Sequence, residues 1–188
     1  MMKKTVILGF VLVFALGGVL LSSADEAKEE YTYVGVKNCK MCHNKEATGA
    51  QYTVWEKSAH ANAYTVLASD ESKAAAKKLG IDDPQKSDKC LPCHATAYPV
   101  MAKVADMKIT MEEGVSCESC HGPGSGYKSL KTMKGLYDGS IEPASVGLWT
   151  PDEKVCVTCH KKEGNPNFKE FVYDEYVKKI AHPIPKGE

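Results

Sequence analysis

Cys117-Glu118-Ser119-Cys120-His121 decides the fold, because it is one of four copies of a single pentapeptide. The others are Cys39-Lys40-Met41-Cys42-His43, Cys90-Leu91-Pro92-Cys93-His94 and Cys156-Val157-Thr158-Cys159-His160, and together the four use all 8 cysteines of the chain. Cys-x-x-Cys-His is the attachment signature of c-type haem. The chemistry explains the spacing. Two thiols add to the vinyl groups of one porphyrin, and the intervening residues let the chain turn so that both sulfurs reach the same edge. The histidine that follows lies under the ring and ligates the iron from its proximal side.

Three other uses of paired cysteines fit less well. Cys₄ zinc sites do not require a histidine after every pair. A thioredoxin-like redox pair needs an alternating strand and helix pattern that this chain lacks. A disulfide scaffold rarely places every cysteine in one repeated motif. Four covalent haems are therefore expected, tethered by Cys39, Cys42, Cys90, Cys93, Cys117, Cys120, Cys156 and Cys159, with proximal ligands His43, His94, His121 and His160.

Four haems also answer a question raised by composition. Beyond the N-terminal segment, Phe, Trp and Ile are scarce while Lys, Glu, Ala and Gly abound. Such a chain buries too little apolar surface to offset its ordering entropy alone. Rigid apolar macrocycles fill that gap, and the polypeptide need only wrap them with short helices and loops. The fold class expected is mainly α.

The 6 histidines leave two beyond the motifs, His60 and His182. Both are candidate distal ligands, and they complete at most two bis-histidine irons. The other two irons take a different ligand or stay five-coordinate. Met is an alternative axial ligand. Met41 sits inside its own motif, while Met101, Met107, Met111 and Met133 are freer, and Lys131 is a further candidate if its amine is neutral in a buried pocket. His60 lies in Val54 to Tyr64, which reads as helix, with Trp55, Ala59 and Asn62-Ala63 on one face. His182 follows a helical stretch ending near Ile180 and precedes Pro183, which stops a helix.

Residues 1–24 read as a signal peptide. Lys3-Lys4 is the positive start, Thr5 to Leu21 carries no charge, and Ser22-Ser23-Ala24 supplies small residues for cleavage. The apolar run is shorter than the roughly 20 residues a spanning helix needs. The mature chain is expected to be a single domain, residues 25–188, in the periplasm. Extracellular placement or a membrane anchor facing the periplasm follows only if export or cleavage differs. Cleavage removes two lysines and moves the formal charge from +0 to about −2. The chain has no arginine and no basic footprint, which argues against nucleic acid as a partner.

Along the mature chain, Tyr31 to Val36 is an extended lead-in to the first motif. Residues 45–79 suggest two helices broken around Ser69-Asp70, and Asp82 to Ser87 a polar loop. Tyr98 to Thr110 suggests a strand or irregular hairpin. His121 to Gly126 is a glycine-rich turn, approached by a haem face or simply a turn. Gly135 to Pro151 reads as loop and Lys169 to Ile180 as a closing helix. First cysteines are separated by 51, 27 and 39 residues, so the motifs do not form a regular tandem repeat.

The sequence resembles the cytochrome c-554 family of tetrahaem cytochromes. The resemblance is carried by Cys39 to His43, Trp55-Glu56-Lys57-Ser58-Ala59-His60-Ala61, and Gly114-Val115-Ser116-Cys117-Glu118-Ser119-Cys120-His121-Gly122-Pro123-Gly124. The fourth motif and Phe171-Val172-Tyr173-Asp174-Glu175 also fit. It implies a helical, haem-dense fold with stacked and roughly perpendicular haem pairs, and electron transfer from hydroxylamine oxidation toward the membrane. It implies distal ligation by His60 to the third haem and by His182 to the first, and a five-coordinate second haem held only by His94. The family has a further distal histidine after the Cys-His-Gly-Pro-Gly segment. Here Ser125 to Gly139 has none, and Tyr127, Lys131 or Met133 stands in that region, which leaves the fourth haem's distal ligand open.

The function expected is electron transfer through four haems between redox partner proteins. Haem propionates make the holoprotein acidic, so those partners are expected to present lysine-rich patches. Two other classes remain. An open iron that binds a small ligand such as nitric oxide suits a nitrogen-oxide reductase, although only Thr96 and Tyr98 offer polar groups after His94. Donation of His182 to a neighbouring subunit suits an extracellular cytochrome filament.

Overall fold

The structure, a computed structural model, describes residues 30–101, 108–182 and 184. The signal segment at 1–24, Met107 and Pro183 lie outside them. Among the described residues there are eight α-helices, short 3-10 turns and no strand. The helices are α1 (Val36–His43), α2 (Gln51–Glu56), α3 (Asp70–Lys78), α4 (Leu91–His94), α5 (Cys117–His121), α6 (Leu130–Asp138), α7 (Glu153–Val157) and α8 (Tyr173–Ile180). The mainly α class expected from the motifs holds. No helix among the described residues is long and apolar enough to cross a membrane.

The local signals explain most helix starts. Ser69 accepts a bond from the Ser72 N–H at the start of α3, Ser129 from Thr132 at the start of α6, and Asp152 from Val155 at the start of α7. The break expected at Ser69-Asp70 is therefore a cap. Pro92 sits in the first turn of α4, where its missing N–H costs nothing.

Several expected boundaries move. Residues 45–69 form no single helix. They divide into a 3-10 turn at Glu46–Thr48, α2, a run of turns, and a 3-10 turn at Thr65–Ala68. His60 consequently stands in a turn, not on a helix face. Its backbone carbonyl accepts from both Ala63 and Val115, so tertiary bonding overrides the helical pattern there. Tyr98–Val100 is a 3-10 turn and residues 108–110 carry no strand pairing, while 102–107 lie outside the described residues. Gly135 belongs to α6, with its Cβ position filled by the Ile141 side chain at 2.6 Å. The closing helix starts at Tyr173, later than expected.

The protein's own apolar core is small. Ala97, Val100 and Ile109 form one cluster, with Tyr33 and Met111 against it. The largest fully buried side chain among the described residues is a carboxylate, Glu118, at 1% exposure. It accepts from the Val34 N–H at 2.9 Å, the Gly35 N–H at 2.8 Å and the Gly124 N–H at 2.6 Å. Val34 and Gly35 lead into the first motif, and Gly124 follows the third, so one side chain joins two attachment motifs.

A second lock joins the second motif to the third. Thr96 is buried, and its hydroxyl donates to the Gly114 carbonyl at 3.1 Å, accepts from the Ser116 N–H at 2.7 Å and pairs with the Ser119 hydroxyl. A third brings the His60 turn in. Val115 N–H donates to the His60 carbonyl at 3.0 Å, and the Trp55 indole donates to the Val115 carbonyl at 2.8 Å. Gly114 makes this possible, since it has φ +60 and a Cβ there would lie 2.6 Å from the His60 carbonyl oxygen.

Two outcomes follow. Glu118→Ala strands three buried N–H groups at about 1–3 kcal/mol each. Denaturant unfolding of the holoprotein should show a loss above about 3 kcal/mol, with Glu118→Gln in between and the exposed Glu170→Ala within about 0.5 kcal/mol of wild type. Gly114→Ala combines a positive φ with a backbone clash and should cost about 2 kcal/mol or more in the same measurement.

Candidate haem centre

In each motif the two cysteines and the histidine occupy positions i, i+3 and i+4 of one helical turn, which places them on one face. The first motif ends α1, the second spans Cys90 and α4, the third is α5, and the fourth runs from α7 into a turn closed by the His160 N–H on the Cys156 carbonyl at 3.0 Å. The chain needs no long helix for this. One turn orients two sulfurs and one imidazole together.

Two of the four motif histidines have a hydrogen bond from Nδ1. His94 Nδ1–H donates to the Ala63 carbonyl at 2.6 Å, and His43 Nδ1 contacts the Gln51 amide oxygen at 3.1 Å. Such bonds select the tautomer that leaves Nε2 unprotonated for a metal. His121 is set by the Trp149 N–H, which donates to its backbone carbonyl at 2.9 Å. Gly122 lets Trp149 come this close. A Cβ at Gly122, where φ is +76, would lie 2.9 Å from the indole and 2.8 Å from the Gly147 carbonyl oxygen. The glycine-rich turn is therefore approached by protein at this position. The His160 ring stacks on Phe171 at 4.6 Å.

The two remaining histidines come to face motif histidines. The His60 and His160 ring centroids are 6.0 Å apart, and those of His121 and His182 are 5.8 Å apart. Imidazoles bonded to opposite sides of one metal through bonds of about 2 Å have centroids roughly 6 Å apart, so both pairs fit a shared iron. Burial lowers the pKa of His60, His121, His160 and His182, which keeps these rings neutral and able to donate a lone pair. His182 Nδ1 is enclosed with no hydrogen-bond partner.

This pairing differs from what the resemblance implied. His60 faces the fourth motif, not the third. The ring contact of His182 is with His121 of the third motif, while His43 of the first motif also lowers its pKa. The reason is the turn at 57–64. Its backbone bonds to Val115 carry His60 across to the fourth motif, which sequence order does not reveal.

The cysteines are grouped as well. The Cys39 thiol lies beside that of Cys117, the Cys93 thiol beside that of Cys159, and Cys120 near Cys156. A cavity of about 650 Å³ brings Cys90, Cys93 and His94 together with Cys159, His160 and His60. Ala75, Ala76, Leu79 and Ile81 are among its apolar lining. Among the described residues no three His, Cys, Asp or Glu side chains converge as a cluster for a bare ion. Facing single imidazoles, paired sulfurs on one helical face and an apolar cavity suit a metal that arrives in a macrocycle with its own four nitrogens. The residues present therefore fit haem. Thr96, the buried polar group after His94, is engaged by Gly114, Ser116 and Ser119 and is not a free acid or base. The signal that locates these tertiary bonds, Gly114 before the third motif, is visible in the sequence, but its partner is not.

Comparison with known proteins agrees with this geometry. The family model described as cytochrome c554 and c-prime matches residues 38–122. Cytochrome c-554 of Nitrosomonas europaea is 28% identical over 158 residues, which cover 78% of this chain and 65% of that protein, just under two thirds of its length. The solved structure of the reduced state of cytochrome c554 from Nitrosomonas europaea superposes with a TM-score of 0.52 at 24% identity, covering 80% of this chain and 84% of that one, and shares its fold. Residues 38–122 thus match the cytochrome c554 family model, and the chain is similar to cytochrome c-554 in sequence and shares its fold.

Proposed function

We propose that the protein is a periplasmic electron carrier that holds four c-type haems and relays electrons between redox partner proteins. The observation that carries this reading is the grouping of the attachment motifs: sulfurs of the first and third, the third and fourth, and the second and fourth are neighbours. No motif stands apart from the others. Bound haem supplies a reversible one-electron iron couple whose potential is set by axial ligand, burial and local charge. The chain's own residues do the rest. The eight cysteines tether, His43, His94, His121 and His160 hold the proximal side, and His60 and His182 stand opposite the fourth and third motifs.

Glu118 and Thr96 keep the motifs at fixed separation, and a fixed separation is what a relay requires of its scaffold. Partial burial lowers the pKa of the facing imidazoles, and neutral imidazoles favour low-spin irons that change little on gaining an electron. Haem propionates add negative charge to a chain already near −2 after cleavage, which favours docking to lysine-rich patches on the donor and acceptor. Residues 1–24 direct export, and residues 25–188 form the single domain. The cellular site of thioether formation, outside the cytoplasmic membrane in bacteria, agrees with that address.

Three measurements test the reading on purified holoprotein. Intact mass and a pyridine haemochrome assay should give four haems per chain, and three or fewer would refute the count. Reductive titration should take up four electrons per chain. N-terminal sequencing of the exported protein should begin at Asp25; a chain still beginning at Met1 would indicate an anchor.

A further inference from the structure

The structure places every histidine of the chain, and it distributes them unevenly. Of the six, His60 faces His160 and His182 faces His121. His43 and His94 remain. Each uses Nδ1 in a hydrogen bond, with Gln51 and Ala63 respectively, and each has Nε2 for a metal. No seventh histidine exists to stand opposite either one.

The spatial order of the motifs gives this distribution a meaning. Cys39 neighbours Cys117, Cys120 neighbours Cys156, and Cys159 neighbours Cys93. The motifs therefore line up as first, third, fourth, second. The facing pairs belong to the third and fourth, in the interior of the row. The two unmatched imidazoles, His43 and His94, belong to its two ends.

Among the described residues, most of the other side chains that could cover the His43 iron are committed. The Tyr127 hydroxyl is buried and donates to the Gly122 carbonyl at 2.7 Å. Met111 packs against the Ala97, Val100 and Ile109 cluster. Met101 and Lys131 stand exposed at the surface. At the other end, the cavity at His94 is lined by Ala75, Ala76, Leu79 and Ile81 as well as by Lys89, Lys161 and Glu163, and its apolar part suits a small neutral molecule better than an ion.

We infer that, given the four-haem reading above, the row is open at both ends: the His43 iron, like the His94 iron, keeps an exchangeable sixth position that takes a small neutral diatomic ligand, and the two interior irons do not. The resemblance already implied a single protein ligand at His94. It gave the first haem a distal histidine and left the fourth in question, and the geometry reverses those two. The consequence is a molecule that can sense or bind a diatomic gas at either terminus while its interior remains a closed electron path.

Carbon monoxide titration of the dithionite-reduced holoprotein tests this, with haem content measured on the same sample. At four haems per chain, the Soret change should saturate at two carbon monoxide per chain, and electron paramagnetic resonance of the oxidised protein should show half the iron high-spin. His60→Ala and His182→Ala should each raise the count from two to three. A haem content below four refutes the four-haem reading itself. Four haems with one carbon monoxide or none would overturn the inference alone, placing Met133 or another side chain on the His43 iron. A count that stays at two in His182→Ala would also overturn it, because the His121 iron would already have been one of the open pair.

Discussion

Glu118 sits between the first and second cysteines of an attachment motif, yet its carboxylate bonds outward, to the N–H groups of Val34, Gly35 and Gly124. A buried carboxylate is costly unless its oxygens are satisfied, and here three backbone donors satisfy them. Those donors come from the lead-in to the first motif and from the turn after the third. The separation of the two motifs is thereby set by hydrogen bonds of fixed length. Glu118 is the largest fully buried side chain among the described residues, and polar bonds of this kind do the positioning that apolar packing does in most domains.

The remaining locks follow the same logic. Thr96 ties the second motif to Gly114, Ser116 and Ser119, and the His60 turn hangs on Val115. The segment Gly114 to Gly124 is the hub, contacted by the first motif's lead-in, by the residues after the second motif and by the turn that carries His60. Its glycines at 114 and 122 admit neighbouring chain where any side chain would collide. One short segment thus accounts for the relative placement of several separate helical turns.

The same hub explains how six histidines serve four motifs. His60 reaches the fourth motif because its turn is bonded beside the third, and His182 reaches the third because α8 ends there. Thr96, beside the second motif, is used in these bonds.

The sequence by itself pointed to haem attachment and determined the helical class. Four Cys-x-x-Cys-His repeats bring two sulfurs and an imidazole together because those atoms lie within one helical turn, and local spacing dictates local geometry. The break at Ser69-Asp70 was legible for the same reason, whereas the caps at Ser129 and Asp152 came only from the structure. His60 and His182 were legible as candidates by elimination, once the motif histidines were counted. Their partners were not. Facing pairs form between residues 100 and 61 positions apart, and nothing local encodes which motif lies across a gap. The helix expected around His60 failed because backbone bonds to Val115 outweigh the periodicity of a short amphipathic stretch. The tertiary structure alone decided the order of the motifs in space and the allocation of the two spare imidazoles, because long-range hydrogen bonds from Glu118, Thr96 and Val115 set them.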